Sequence, residues 1–163
     1  MNQQKTYVKD QGIKEMFFKS EGRINRLRFF KRTIAVALFS AFLMIILGAI
    51  FGPEIDLNKP PSPNDPVDPS LAFIYLAVSI FALIPYYFLY VRRLHDLNMN
   101  NNLAIVVTVA GFIGIFTGDD VNNASMISVL ATLATGFITL YLIFADGTHG
   151  TNFYGPDPLG RDN

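Results

Sequence analysis

Thr33 to Phe51 reads TIAVALFSAFLMIILGAIF, nineteen residues without one charged side chain. At about 1.5 Å of rise per residue, a helix of that length nearly crosses a hydrocarbon core roughly 30 Å thick. Leu71 to Val91 repeats the pattern over twenty-one residues and Met126 to Ala145 over twenty. Leu103 to Thr117, with fifteen, is the short case; it is read as a fourth span because without it the number of crossings would be odd. Backbone groups in lipid must bond within their own segment, so the runs are expected as helices. The expected fold is therefore all-α: a polytopic membrane protein of four transmembrane helices over about 33–51, 71–91, 103–117 and 126–145. Residues 1–32 form a segment with a short amphipathic helix, and 146–163 a Gly/Pro-rich tail. Pro85 has no N–H for the carbonyl of Phe81 and is expected to kink the second span. The 32 residues before the first run are polar and longer than a signal n-region, so that run is expected as an uncleaved anchor.

Charge placement orients such a chain. Lys+Arg 13 and Asp+Glu 13 cancel overall. Split by segment they do not: twelve cations and seven acids lie in 1–32, the 92–102 loop and the tail, against one cation and six acids in the other connections. The positive-inside rule puts both termini and the 92–102 loop in the cytoplasm. No overall basic excess remains for a nucleic-acid partner. The absence of Cys removes disulfides, thiolate metal sites and a Cys nucleophile. Residues 52–70 hold six of the nine prolines and are expected as an extended spacer.

None of the four runs contains an ionisable residue, which argues against proton relays and intramembrane hydrolysis. Ser125, Ser128, Thr132, Thr135 and Thr139 recur at spacings of 3 and 4 and are expected to make a packing seam with Gly136, Gly111 and Gly114 rather than a polar pathway. Before the first span, Ile13, Met16 and Phe17 give an apolar helical face that Gly22 would end. Asn25 would then cap a helix running into the span, with Arg26, Arg28, Lys31 and Arg32 reaching lipid phosphates. Asp96 and Asp146, at the ends of the second and fourth spans, oppose the helix dipole and need cationic partners. Arg23, Arg26, Arg92 or Arg93 are expected to supply them, Arg92 standing at i−4 to Asp96. His95, Asp96, Asp146 and His149 carry metal-capable donors, but no helix fixes their geometry, and neither a metal nor a cofactor is expected. No Ser-His-Asp arrangement, phosphate loop or dinucleotide motif is present, so no enzymatic activity is expected.

Gly22-Arg23-Ile24-Asn25-Arg26 with Phe29-Phe30, then Arg92-Arg93-Leu94-His95-Asp96, then Gly147-Thr148-x-Gly150-x-Asn152-x-Tyr154-Gly155-Pro156-Asp157-Pro158 resemble, in that order, the three signatures of a bacterial inner-membrane family, domain of unknown function 805. The resemblance runs over about 16–158. It implies a small multi-spanning protein with cytoplasmic termini and no established activity. Two tryptophans of the family pattern are missing, one of them where Phe30 stands. The Gly-rich turn after the second signature is replaced by Leu97 to Asn102, where Asn98 and Asn101 are expected to take positive φ.

The expected function is a non-enzymatic scaffold or sensor that binds a protein partner or anionic lipid through Arg23, Arg26, Arg92, Arg93, His95 and Asp96, with Asn152 and Tyr154 of the third signature. Asp96, Asp146 and Arg92 are expected in structural ion pairs. The runner-up is a small-solute transporter or channel, monomeric or homo-oligomeric, using the Ser/Thr stripe. An interfacial enzyme using His95 and Asp96 comes third.

Overall fold

The computed structural model describes residues 7–52, 68–117 and 126–161. They form α1 (Gly12–Phe17), α2 (Arg26–Phe51), α3 (Pro69–Asp96), α4 (Asn102–Thr117) and α5 (Met126–Phe144), with no strand among the described residues. The all-α expectation holds. α2, α3 and α5 are long and apolar enough to cross a membrane, and α4 is a shorter apolar helix.

Local chemistry sets the helix starts. Asn25 caps α2 by accepting the Arg28 N–H at 2.9 Å, as the sequence predicts. Asp68 caps α3 through the Ser70 N–H at 2.8 Å, and Pro69 follows at the first helical position, where its missing donor costs nothing. Both helices overrun the apolar stretches that define them in sequence. α2 begins seven residues before Thr33, and α3 continues through Pro85 to carry Arg92, Arg93, His95 and Asp96 on its last turn.

Large apolar side chains cover the outside of the long helices: Leu38 is 66 % exposed, Ile45 71 % and Phe137 70 %. Surfaces so continuously apolar are solvated by lipid rather than water. α3 is central, packing on α2 and α4, while α4 packs on α5. The Ile24 N–H donates to the Arg92 carbonyl, so the start of α2 and the end of α3 lie together and the two helices run antiparallel. The fully buried apolar residues concentrate at that same end, where Ile24, Phe29, Leu89, Val91, Leu94, Ala104 and Leu142 form the core.

Several expectations need correction. α1 stops at Phe17, with the Phe18 N–H closing on the Lys14 carbonyl, and does not reach Gly22. Gly22 does take φ +80°, but in the turn leading to Arg23. Asn98 has the expected positive φ of 58°. Asn101 does not: its carbonyl accepts the Ile105 N–H at the start of α4. Of the three seam glycines, only Gly111 sits at a helix contact, where an added Cβ would lie 3.2 Å from Leu83; Gly114 and Gly136 face open space. Within the hydroxyl stripe Thr132 is exposed and Ser128 buried. The Thr139 hydroxyl donates to the Thr135 carbonyl at 2.7 Å, which leaves the Tyr90 hydroxyl to donate to Thr139 at 2.8 Å and tie α3 to α5. Ser125 and most of the proline-rich 52–70 segment lie outside the described residues.

Candidate functional site

The last turn of α3 sends its polar side chains in different directions, and each meets a different segment. Asp96 is 1 % exposed. One carboxylate oxygen accepts the Arg23 Nε–H at 3.1 Å, and the other accepts from Arg93, one turn back on the same helix. Arg23, itself 1 % exposed, sends its remaining donors into the tail, to the carbonyls of Gly150 at 2.7 Å, Gly155 at 3.2 Å and Thr148. Arg93 donates to the Leu142 carbonyl at 2.8 Å and to that of Ala145, covering carbonyls that the end of α5 leaves without helical partners.

The tail answers in kind. The Thr148 N–H and hydroxyl both donate to the Asp96 carbonyl, at 2.9 and 3.0 Å. The Asn152 amide donates to the His95 carbonyl at 2.8 Å, so the last two carbonyls of α3, those of His95 and Asp96, both take donors from the tail, more than 50 residues on. The His95 ring spans the Gly22 carbonyl at 3.2 Å and the Asn101 amide at 2.7 Å, and Tyr154 stacks on it at 3.8 Å with 7° between the planes. All three polar segments singled out in the sequence therefore converge on one buried cluster.

The pairing differs from the expected one at three places. Arg92 does not meet Asp96; it donates to both carboxylate oxygens of Asp10, at 2.8 and 2.9 Å. Arg32 reaches the same carboxylate at 2.7 Å rather than lipid, and donates to the Met16 carbonyl at 3.1 Å. Asp146 is not drawn in by Arg23, Arg92 or Arg93: it is exposed, 3.6 Å from both Arg161 and His149. Arg26 is likewise exposed and outside the buried cluster, but it serves Asp146 as expected: burial would raise that carboxyl, and His149, Arg161 and Arg26 together hold it below its ordinary value.

Sequence reasoning gave no part to Asp10 or Arg161, and knew Gly147 only as the first residue of the third signature. Asp157, 0 % exposed, accepts the Arg161 Nε–H at 2.8 Å and the Leu159 N–H at 2.9 Å, closing the tail on itself. Burial alone would raise the Asp157 carboxyl; these two donors hold it below its ordinary value. An i, i+4 spacing between Asp157 and Arg161 was the one signal available. Asp10 offered none.

Chemically the cluster is closed. The donors of Arg23 are spent on one carboxylate and three carbonyls, and each nitrogen of Arg93 has an acceptor. Such an arrangement fixes the ends of α2, α3 and α5 and the tail relative to one another.

Residues 17–156 match the model of a family described as a protein of unknown function, DUF805. The chain belongs to the DUF805 family. No curated protein and no solved structure matches it significantly. The DUF805 match takes in Arg23, Arg93, Asp96 and the tail as far as Gly155, which is the whole of the Asp96 cluster. Asp10 stands before its first residue, so in this DUF805 protein the tie that holds α1 lies partly outside the matched region.

That tie has a pH signature. Burial would raise the Asp10 carboxyl, but Arg32 and Arg92 outweigh it and hold it below its ordinary value. A carboxyl lowered in the native state stabilises above its unfolded pKa, about 3.9, and the stabilisation is lost as pH falls through the lower native value. Amide exchange at 16–18, whose N–H groups close the turn of α1, corrected for intrinsic pH dependence, is expected to stay slow from pH 8 to about pH 4 and to quicken only below. Asp10→Asn should give the fast exchange at pH 7; slow exchange in that variant would show that the carboxylate does not hold α1.

Proposed function

We propose that this chain is a multi-pass protein of the bacterial inner membrane with both termini cytoplasmic. It acts as a non-enzymatic scaffold or sensor whose basic inner face engages anionic lipid or an acidic protein partner. The supporting observation is the division of labour among its cations. Arg23, Arg92 and Arg93 are buried and hold the platform together, while Lys9, Lys14, Lys19, Arg26 and Lys31 stay exposed around it. Contact with phosphate or acidic groups is therefore assigned to the exposed set, Arg26 and Lys31 in particular, on the first turns of α2. The contact between Arg23 and Gly150 brings the chain before α2 and the chain after α5 to one end of the bundle. An even number of crossings does this, which supports α4 as a fourth, short span of about 24 Å.

The chain has no Cys, so single-Cys variants report topology directly. Lys19→Cys is expected to be shielded from a membrane-impermeant thiol reagent in intact cells and Asn58→Cys to be labelled. The reverse pattern would overturn the orientation. With topology confirmed, Arg26→Glu/Lys31→Glu should lower retention of phosphatidylglycerol by the detergent-solubilised protein several-fold, since each basic side chain near an anionic surface contributes about 1 kcal/mol. Unchanged retention would remove the anionic-lipid reading of this face.

A further inference from the structure

An apolar groove of about 330 Å³ lies between α1, α2 and α3, walled by Ile13, Phe17, Phe18, Phe39, Phe81 and Pro85. Its volume falls within the range of about 300–1,000 Å³ typical of small-molecule sites. Ile13, Phe39 and Phe81 are each more than half exposed, so large apolar area is left uncovered where the polar N-terminal segment meets the spans. Phe18 also borders a second recess, of about 410 Å³ and polar, whose charged side chains are Lys14, Glu15, Lys19 and Glu21. Phe18 lines both recesses. Along one path the surface passes from almost wholly apolar, past Phe18, to a cup with two cations and two anions.

This is the order of groups in a phospholipid, and the charge balance of the cup selects the headgroup. A headgroup with only a negative phosphate would place it beside Glu15 and Glu21 as well as beside the lysines, and like charges in close contact disfavour a ligand. A headgroup carrying both phosphate and ammonium gives every charge an opposite partner. Glu15 accepts the Gln11 N–H through one carboxylate oxygen at 2.7 Å, and Glu21 is exposed.

We propose that one zwitterionic aminophospholipid of the phosphatidylethanolamine type docks at α1. An acyl chain fills the groove and the glycerol region lies against Phe18. The phosphate meets Lys14 and Lys19, and the ammonium meets Glu15 and Glu21. The site rests on the proposed orientation with cytoplasmic termini, which puts α1 at the inner leaflet, and it uses residues other than Arg26 and Lys31.

Native mass spectrometry of the full chain in mild detergent, equilibrated with equimolar phosphatidylethanolamine and phosphatidylglycerol, tests it. One phosphatidylethanolamine per chain is expected to survive. Lys14→Glu/Lys19→Glu should cut that retention about tenfold, a loss of the size expected for one charge-assisted contact. Ser40→Phe, which projects a ring into the groove from α2, should do the same. The two lysines are exposed, so the double variant keeps the test valid even where the groove variant fails to fold. Retention of phosphatidylglycerol in place of phosphatidylethanolamine overturns the headgroup assignment. No retained lipid, unchanged retention in both variants, or a dimer cross-linked through the groove overturns the site. Reversed labelling of Lys19→Cys would instead remove the inner-leaflet reading, so the two failures are distinguishable.

Discussion

Asp96→Ala is expected to lower stability by about 3–5 kcal/mol, the range for removing one partner of a buried ion pair. The residue is 1 % exposed and is the carboxylate shared by Arg23 and Arg93, which are 1 % and 0 % exposed. Its loss leaves two guanidinium groups buried beside each other without the charge that separates them. Neither can swing out to water without abandoning other acceptors, since Arg23 holds three tail carbonyls and Arg93 two at the end of α5. Thermal unfolding in detergent should shift down by roughly 10 °C for a chain of this size. Asp96→Asn, which keeps the shape but not the charge, should lose most of the same stability. An unchanged melting temperature in both variants would show that these pairs do not hold the bundle.

Gly147→Ala is expected to be nearly as damaging, at about 3 kcal/mol or more, through overpacking against a group that cannot yield. A Cβ at Gly147 would lie 2.1 Å from one Asp96 oxygen and 2.7 Å from its carboxyl carbon. A flexible side chain would move aside, but Asp96 is gripped from both sides by Arg23 and Arg93. Gly114→Ala and Gly136→Ala are the controls, because an added Cβ there meets nothing within 4 Å and alanine gains helix propensity of up to about 1 kcal/mol. The mechanism also fixes a double-variant outcome. In an Asp96→Ala background the clash partner is gone, so Gly147→Ala should then cost far less than in the native chain. Additive losses would mean that Gly147 matters for a reason other than its contact with Asp96.

The spans were legible because charge-free runs of about twenty residues leave the chain little choice. The Asn25 cap and the positive φ of Asn98 were legible because each is a local preference of one residue type. Arg23, His95, Asp96, Asn152 and Tyr154 were found through the three polar signatures, and the structure does bring those segments together. The partners of Asp96 were legible only as a set of four arginines, from which the structure takes Arg23 and Arg93. Helical spacing offered both Arg92 and Arg93 to Asp96, and the choice was made by Asp10, 82 residues from Arg92, which takes the Arg92 guanidinium for itself. Asp10 sits before a six-residue helix and shares no periodic face with anything. Gly147 lacks the positive φ by which a glycine announces its need, because the requirement is made by a carboxylate far away in sequence.

The ties between Arg23 and the carbonyls of Thr148, Gly150 and Gly155 also set an order of events during synthesis. Arg23 is translated before any of the long apolar helices, and its tail acceptors come after all of them. Until the ribosome has passed residue 155, a guanidinium destined for burial has no complete set of acceptors, and Asp96 lacks the Thr148 groups that cover its carbonyl. Only a chain whose last helix and tail are in place can therefore seal the cluster. A chain that stops short of Thr148 leaves Arg23 with the Asp96 carboxylate alone, without the three carbonyls that take its remaining donors.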